Sequence, residues 1–390
     1  MEGDPVASLL PLLVSANQVE RTGATMALRD METQSGFSAH LLEIGARSDV
    51  RAQVRWLAMM YLKNQVHRFW VKRSGIPYEI EAAEKIVLRD NILPLSLDVD
   101  DAIANQSALI VAKMTRFDFP KVWPNVLESI VSALQAASVE SELAASDDHV
   151  HRCNRILRVL HYTIKELSSK RLVSDRKTFM QLAPSVVAAV AQLWLIFRSK
   201  YISSWSSQSV SEGTTQGLVL TVKTLRRLLV SGFQKLHSDE QATSIAVSIS
   251  QFFRDLVVSC GNASTPAAGT LERVTYFHGK FVHNLLATQP LALGSEVEAM
   301  FVHYLSLCDL SEPQQGIPPR IQTVLLRCLH STVSSGKFIP SMQGTSRSAD
   351  DPAQQKFIED VHKTLLADGL VKIIRGVTCK FVRVRVEEAE

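Results

Sequence analysis

Apolar residues recur at helical spacing along most of the chain, and the pattern is clearest between residues 54 and 69. The spacing i, i+3, i+4, i+7 marks the face of a helix that is turned toward a core. Its members are Val54, Leu57, Ala58, Tyr61, Leu62, Val66 and Phe69. The opposite side also carries large apolar side chains, which are Trp56, Met59, Met60 and Trp70. A helix that is apolar on two sides must pack between neighbours, so the pattern predicts a helix inside a stacked array.

Such segments follow one another in pairs with a period of about 40–47 residues, which is typical of HEAT and armadillo repeats. The predicted pairs are 5–16 with 20–34, 37–47 with 49–70, 78–97 with 100–117, 122–137 with 147–169, a helix capped by Ser174 and reaching 201 with 218–235, 239–260 with 271–288, and 296–310 with 321–335. Residues 336–352 have little to bury, 353–374 form a last predicted helix, and 381–386 alternate like a strand. The predicted fold class is all-α, a right-handed superhelical solenoid of HEAT/armadillo-type antiparallel helix pairs.

Composition supports helices joined by short turns. Apolar residues make up 46% of the 390 residues, with 17 Gly and 14 Pro, and this length exceeds that of a usual single-core domain. The net charge of +3 is too small to indicate a nucleic-acid partner. We also find no segment of the apolar length that a membrane span requires, and we predict no membrane insertion. The five cysteines are far apart and mostly within apolar patterns, so we predict reduced core thiols.

The sequence contains no motif of a catalytic, cofactor or metal site. Gly279-Lys280 lacks the earlier glycine and the following Ser or Thr of a phosphate-binding loop, and no HExxH, GxSxG or paired CxxC occurs. Residues 147–153, Asp-Asp-His-Val-His-Arg-Cys, could in principle bind a transition metal. Their spacing fits no standard site, and acidic residues commonly cap helix starts. We therefore predict a capped helix there, and a protein that is not an enzyme and has no cofactor.

Two sets of motifs resemble a known family. The first consists of residues 55–58 (RWLA), 61–64 (YLKN), 103–106 (IANQ), 110–113 (IVAK) and 119–124 (FPKVWP), with Trp70. These resemble the N-terminal domain of the karyopherin-β (importin-β) family. The second consists of residues 160–167 (LHYTIKEL), 169–172 (SKRL), 175–177 (DRK) and 222–228 (VKTLRRL), and it is similar to the importin-11 branch of that family. The resemblance extends from about residue 20 to about residue 235 and is weaker to about residue 335.

The resemblance implies a nuclear transport receptor. Such a receptor binds Ran-GTP through the inner helices of its N-terminal repeats, carries protein cargo past nuclear pore proteins, and shuttles between nucleus and cytoplasm with a transient stay at the nuclear envelope. Residues 1–120 would be the N-terminal domain, 121–340 continuing helix pairs, and 341–390 a poorly ordered segment with one helix and a divergent or truncated end. The candidate Ran-binding residues on inner helices are Lys63, Asn64, His67, Arg68, Lys113, Arg116, Arg158 and Lys165.

Alternatives remain open at this point. The charged cluster that begins at Lys63 could be an ordinary solvated face, and the protein could be a HEAT-repeat scaffold that does not recognise Ran. Basic pairs at 170–171, 176–177 and 226–227 could meet acidic segments of a partner or nucleic acid, but they lack interleaved aromatic residues, which favours plain surface. Trp56, Trp70 and Trp123 are predicted to pack between repeats. Because a complete family member has more than twice as many helix pairs, we expect a fragment or a short gene model.

Overall fold

The computed structural model describes residues 4–143, 146–206, 210–261, 268–294, 296–307 and 317–334, and all structural statements concern those residues. Within them the regular structure is helical, apart from one isolated antiparallel bridge between Arg73 and Ile76. The predicted all-α fold of successive helix pairs is therefore confirmed. The predicted helix at 353–374, the strand-like stretch at 381–386 and the segment 336–352 lie outside the described residues.

The α-helices follow one another along the chain with short connections. In chain order they are α1 (Pro5–Leu9), α2 (Gln18–Met31), α3 (Phe37–Ala46), α4 (Ala52–Phe69), α5 (Ala82–Leu95), α6 (Asp101–Asp118), α7 (Val126–Leu143), α8 (Asp147–Ser168), α9 (Val173–Ser206), α10 (Glu212–Ser231), α11 (Glu240–Gly261), α12 (Ala268–Thr288), α13 (Glu296–Leu307) and α14 (Pro319–Ser334). Short 3-10 helices lie at Leu10–Val14, Leu236–Ser238 and Pro290–Leu293.

The chain divides into two compact units, Met1–Arg176 and Lys177–Glu390. In the first unit, α4, α6 and α8 pack side by side and form one layer, and each is covered on one side by its odd-numbered partner α3, α5 or α7. The neighbours α5 and α7 make few direct contacts. This unequal spacing leaves an apolar groove between α5 and α7, while α4, α6 and α8 form a closely packed layer.

The second unit repeats this arrangement. Helices α10, α12 and α14 lie side by side, and α11 and α13 pair with α12 and α14. Helix α9 packs against α10 where Gly217 meets Phe197, because a Cβ atom at Gly217 would lie 2.3 Å from the Phe197 ring. The absence of a side chain at Gly217 is therefore what allows these two helices to approach so closely.

The structure confirms the predicted start of α8 and corrects the predicted end of α7 and the predicted start of α10. Helix α8 is capped by the Ser146 hydroxyl, which accepts from the Asp148 backbone N–H, so Asp147 and Asp148 occupy the first turn, where carboxylates favour the helix dipole. Helix α7 continues to residue 143, six residues beyond its predicted end at 137. Helix α10 begins six residues before the predicted 218, because the Ser211 hydroxyl accepts from Thr214 N–H at 3.1 Å.

Helix α9 corrects two predictions. It begins at Val173, so Ser174 lies inside its first turn and is not its cap. Residues 173–205 are also long and apolar enough, by length and composition, to cross a membrane, contrary to the expectation that no such segment exists. Half of the most apolar window is buried within the protein, and Trp194 and Phe197 of this helix are each 1% exposed. A mostly buried core helix passes the same test of length and composition.

Burial confirms the predicted packing role for Trp70 and the core position of three of the five cysteines. Trp70 is 2% exposed, whereas Trp56 and Trp123 are half-buried. Cys153, Cys260 and Cys328 are buried within helices. The remaining two, Cys308 and Cys379, lie outside the described residues.

Candidate protein-interaction surface

Helix α4 places four of the predicted site residues on one stretch of its surface. Its buried side includes Leu62 and Val66, and the helical period leaves Asn64, His67 and Arg68 exposed and Lys63 half-buried. We call these four residues, together with Lys113, Arg116 and Lys165 of α6 and α8, the cationic surface.

Arg68 is held by a carboxylate from the end of α2. Glu32, which follows α2 and is 7% exposed, lies 3.0 Å from the Arg68 guanidinium. The same carboxylate accepts from Gln65 Nε2 at 3.2 Å and from the Tyr61 hydroxyl at 3.3 Å. Burial and the Glu32 charge raise the pKa of Tyr61 to about 12, so the phenol stays protonated and keeps donating. Arg68 is thus partly a structural residue.

The protonation of His67 on α4 is influenced by a charge on α6. Partial burial, and then the positive charges of Lys113 and Arg73, lower the pKa of His67. The imidazole is therefore neutral at physiological pH and can offer a hydrogen bond but no charge.

A carboxylate on α8 draws two predicted cations of α6 together. Glu166 Oε1 lies 2.7 Å from Lys113 Nζ, and Glu166 Oε2 lies 3.0 Å from Arg116 Nη1. Arg116 also donates to the Ser169 hydroxyl at 2.7 Å. This cluster fixes the ends of α6 and α8 against each other, and it leaves two cations sharing one counter-ion.

The two predicted residues of α8 differ in their accessibility. Lys165 is exposed, whereas Arg158 is 8% exposed. Arg158 is therefore not part of the cationic surface, contrary to the prediction. A guanidinium buried among packed helices cannot meet a partner without rearrangement. In the described part of the chain, no hydrogen bond or ion pair engages the side chains of Lys63, Asn64 and Lys165.

The charges of this surface suit the binding of a partner. The described residues contain no group of three or more His, Cys, Asp or Glu side chains able to hold a metal ion. The surface presents lysine and arginine side chains, and in the described part of the chain their ion pairs are formed with Glu32 and Glu166. Such an arrangement favours a partner that carries negative charge, and it steers that partner toward the surface during association.

Sequence reasoning missed Glu32 and Glu166, the two carboxylates that organise this surface. Glu166 lies 53 residues from Lys113 along the chain, and Glu32 lies 36 residues from Arg68. No local spacing links such residues. Tertiary packing brings these charges together: α6 lies against α8 at Glu166, and the end of α2 lies beside α4 at Glu32.

Comparison with known proteins finds family matches in the first half of the chain. The family model of the importin-beta N-terminal domain matches residues 24–98, and that of exportin 1-like protein matches residues 100–228. Importin-11 of Homo sapiens is 30% identical over 214 residues, which cover 54% of this chain and 21% of that protein. Importin beta-like protein kap113 of Schizosaccharomyces pombe is 26% identical over 299 residues, covering 74% of this chain and 29% of that protein. The chain thus spans less than a third of the length of these relatives.

Solved structures agree on the fold. Lph2 of S. cerevisiae, described as a bidirectional nuclear transport receptor, gives a TM-score of 0.70 at 21% identity and covers 93% of this chain and 35% of its own. The exportin Cse1 in its cargo-free, cytoplasmic state gives a TM-score of 0.61 at 16% identity, covering 98% of this chain and 44% of its own. These findings confirm the resemblance on the residues from 55 to 228. The chain belongs to the karyopherin-β family, with an importin-beta N-terminal domain followed by an exportin 1-like region.

Proposed function

We propose that this chain is part of a nuclear transport receptor that binds Ran-GTP through the cationic surface, carries protein cargo through the nuclear pore, and shuttles between nucleus and cytoplasm. The family membership of residues 24–228 supports the transport role. In this proposal, residues 1–120 form the N-terminal domain and residues 121–340 continue its helix pairs.

The observation that carries the proposal is the set of unengaged polar side chains on α4 and α8. Lys63, Asn64 and Lys165 have no side-chain hydrogen bond or ion pair among the described residues. They stand beside Arg68, Lys113 and Arg116, which are already held by carboxylates. A protein partner with carboxylates at matching positions would gain ion pairs with the first group without breaking those of the second.

Cargo release follows from linkage in this proposal. If Ran-GTP and cargo favour different arrangements of one set of stacked helices, each ligand lowers the affinity for the other by the same factor. The α6–α8 contact through Glu166 is one element whose position both ligands could bias. Ran-GTP would then promote release of the cargo in the nucleus.

The first prediction concerns the state of the nucleotide and the two unengaged lysines. The full chain is expected to bind Ran loaded with a GTP analogue and to bind Ran-GDP much more weakly. Lys63→Glu and Lys165→Glu should each weaken binding to the GTP form about tenfold, because each replaces an attraction by a repulsion. Titration calorimetry or biolayer interferometry on the same preparations measures both effects.

Lys235→Glu is the matched control, since Lys235 is an exposed lysine of the second unit, outside the cationic surface. It should leave the affinity unchanged. Arg68 is unsuitable for charge reversal, because a carboxylate there would face Glu32 and disturb the fold. Equal binding of both nucleotide forms, or binding of neither, would contradict the proposal and favour the scaffold without Ran recognition.

We also propose a site for pore proteins in the groove between α5 and α7. An apolar pocket of about 180 Å³ opens there, lined by Leu93, Pro94, Ser96, Leu97, Ser129, Ile130, Ala133, Ile156 and Val159. Its walls are largely aliphatic, and its volume suits one aromatic side chain. Kap95 has a similar fold to this chain, with a TM-score of 0.56 at 13% identity, and its structure has been solved as a Kap95:Nup1 complex.

The second prediction fills this pocket. Ala133→Trp places an indole in the space that a partner side chain would occupy, and it should weaken binding of a labelled Nup1 segment about tenfold, since full burial of an aromatic side chain contributes about 1.5–3 kcal/mol. Ala136→Trp, at another exposed position of α7, is the control and should have no effect. Fluorescence anisotropy measures both. Undiminished binding to the Ala133 variant would place the pore contact elsewhere.

A further inference from the structure

A second surface feature lies at the C-terminal end of α6, where the chain turns from α8 into α9. A cleft of about 510 Å³ opens there, within the size range of ligand-binding sites. We call it the basic cleft. Its lining residues are Arg116, Phe117, Phe119, Pro120, Lys121, Ser169, Lys170, Arg171, Leu172 and Asp175.

The charges of the basic cleft do not balance. Arg116 is paired with Glu166, and Lys170 Nζ lies 3.5 Å from Asp175 Oδ1 and 3.3 Å from the Phe119 carbonyl oxygen. Lys121 and Arg171 are exposed, and neither has an ion pair or side-chain hydrogen bond in the described residues. Two uncompensated cations therefore remain in the lining of the cleft.

The backbone adds to this positive potential. Helix α9 begins at Val173, and its first 5→1 hydrogen bond runs from the Arg176 N–H to the Leu172 carbonyl at 3.0 Å. Leu172, at the cap position, has no side-chain acceptor for the first N–H groups of the helix. The positive end of the α9 dipole thus borders the cleft and favours a negatively charged ligand.

Solvent-exposed apolar side chains also line the basic cleft beside these cations. Phe117 is 38% exposed and Leu172 is 68% exposed, whereas Phe119 is buried. Exposed apolar groups next to unpaired cations are typical of a surface that recognises a partner with both features.

We propose that the basic cleft binds an acidic segment of a partner protein, with an apolar side chain placed between its carboxylates. The apolar side chain packs on Phe117 and Leu172, and the flanking carboxylates pair with Lys121 and Arg171. A nucleic acid fits less well, because base stacking needs aromatic faces along the groove and the cleft exposes Phe117 alone among its aromatic residues.

This inference goes beyond the Ran and pore contacts proposed above and does not depend on them. The basic cleft shares only Arg116 with the cationic surface, and none of the residues that carry the inference belongs to that surface. Separate variants can therefore test the two proposals independently on the same chain.

The third prediction is tested with the full chain and a labelled synthetic peptide of Asp and Glu residues around one central Leu. Fluorescence anisotropy should detect saturable binding that weakens as salt is raised. The double variant Lys121→Glu/Arg171→Glu should weaken it about tenfold or more, because both ion pairs become repulsive. Leu172→Ser should weaken it severalfold, and it should reduce the preference for the peptide with Leu over one with Ser at the centre.

The controls separate the possible outcomes. Lys63→Glu should leave peptide binding intact, and the Lys121/Arg171 double variant should retain Ran-GTP binding, so the failure of one proposal is not the failure of the other. A single-stranded oligonucleotide of matched charge should bind more weakly than the peptide. The inference is overturned if the peptide does not bind, if the double variant binds it normally, or if the oligonucleotide competes as well as the peptide.

Discussion

Replacing Asp118 with alanine is expected to lower the free energy of unfolding of the first unit by about 3–5 kcal/mol, the usual cost of leaving a buried charge without its partner. Asp118 is 7% exposed, and its carboxylate accepts from Trp70 Nε1 at 3.0 Å and from Arg89 Nη1 at 2.8 Å. It thus joins the end of α4, the middle of α5 and the end of α6. Without it, the Arg89 guanidinium and the Trp70 indole N–H both lose a buried acceptor.

Urea denaturation followed by tryptophan fluorescence and circular dichroism measures this loss. Asp118→Asn should be milder, because its amide oxygen can still accept from Trp70 while the pair with Arg89 loses its charge. Combining Asp118→Ala with Arg89→Met should recover part of the loss, since the unpaired cation is then removed. Asp49→Ala, which breaks an exposed pair with Arg47, is the control and should change little. A loss below about 1 kcal/mol for Asp118→Ala would contradict the assigned role.

Acidification from about pH 6.5 to about pH 4 is expected to cost the second unit roughly 3 kcal/mol of stability through His278 alone, at about 1.36 kcal/mol for each pKa unit of difference between folded and unfolded states. His278 is fully buried. Its Nε2 accepts from Trp194 Nε1 at 3.2 Å, so the ring is neutral and Nδ1 carries the proton that is donated to the Val274 carbonyl at 2.9 Å. Burial lowers the pKa of His278 to about 4; the hydrogen bond to Val274 opposes this shift, and the nearby Arg198 cation adds to it.

The sign of this effect follows from proton uptake. Between about pH 6.5 and about pH 4 the unfolded chain binds a proton at His278 that the folded chain excludes, so stability is complete above the unfolded pKa and falls as the pH decreases toward the folded pKa. Below that value both states are protonated and this contribution no longer changes.

The difference between wild type and His278→Phe isolates this contribution from that of the acidic residues. The variant loses some stability at every pH, because Trp194 no longer has its acceptor, but its unfolding free energy should depend less on pH over the same window. His237→Gln, at an exposed histidine of the same unit, should retain the wild-type slope. Parallel slopes for wild type and His278→Phe would show that the imidazole is not excluded from protonation in the folded state.

The sequence was sufficient to predict the helices, their pairing and the family. Apolar spacing depends on the helical period, which is local, and so residues such as Leu57 and Leu62 fall in the core as predicted. The family motifs are likewise contiguous segments, and the matches to residues 24–98 and 100–228 confirm them. The start of α10 was less well predicted, because a single capping residue, Ser211, decides it.

What the sequence could not provide was the identity of the residues that meet across helices. Arg158 and Lys165 lie on the same helix and have the same charge, yet packing buries one and exposes the other. Lys113 and Arg116 were predicted as Ran-binding candidates on an inner helix, and the structure shows that they share Glu166 from a helix about fifty residues away. The basic pair at 170–171 acquires its cleft only because α6 ends beside it. Side-chain type and local spacing therefore determined that this chain forms stacked helix pairs, whereas the lateral packing of α4, α6 and α8 decided which of its charges are compensated and which remain available to a partner.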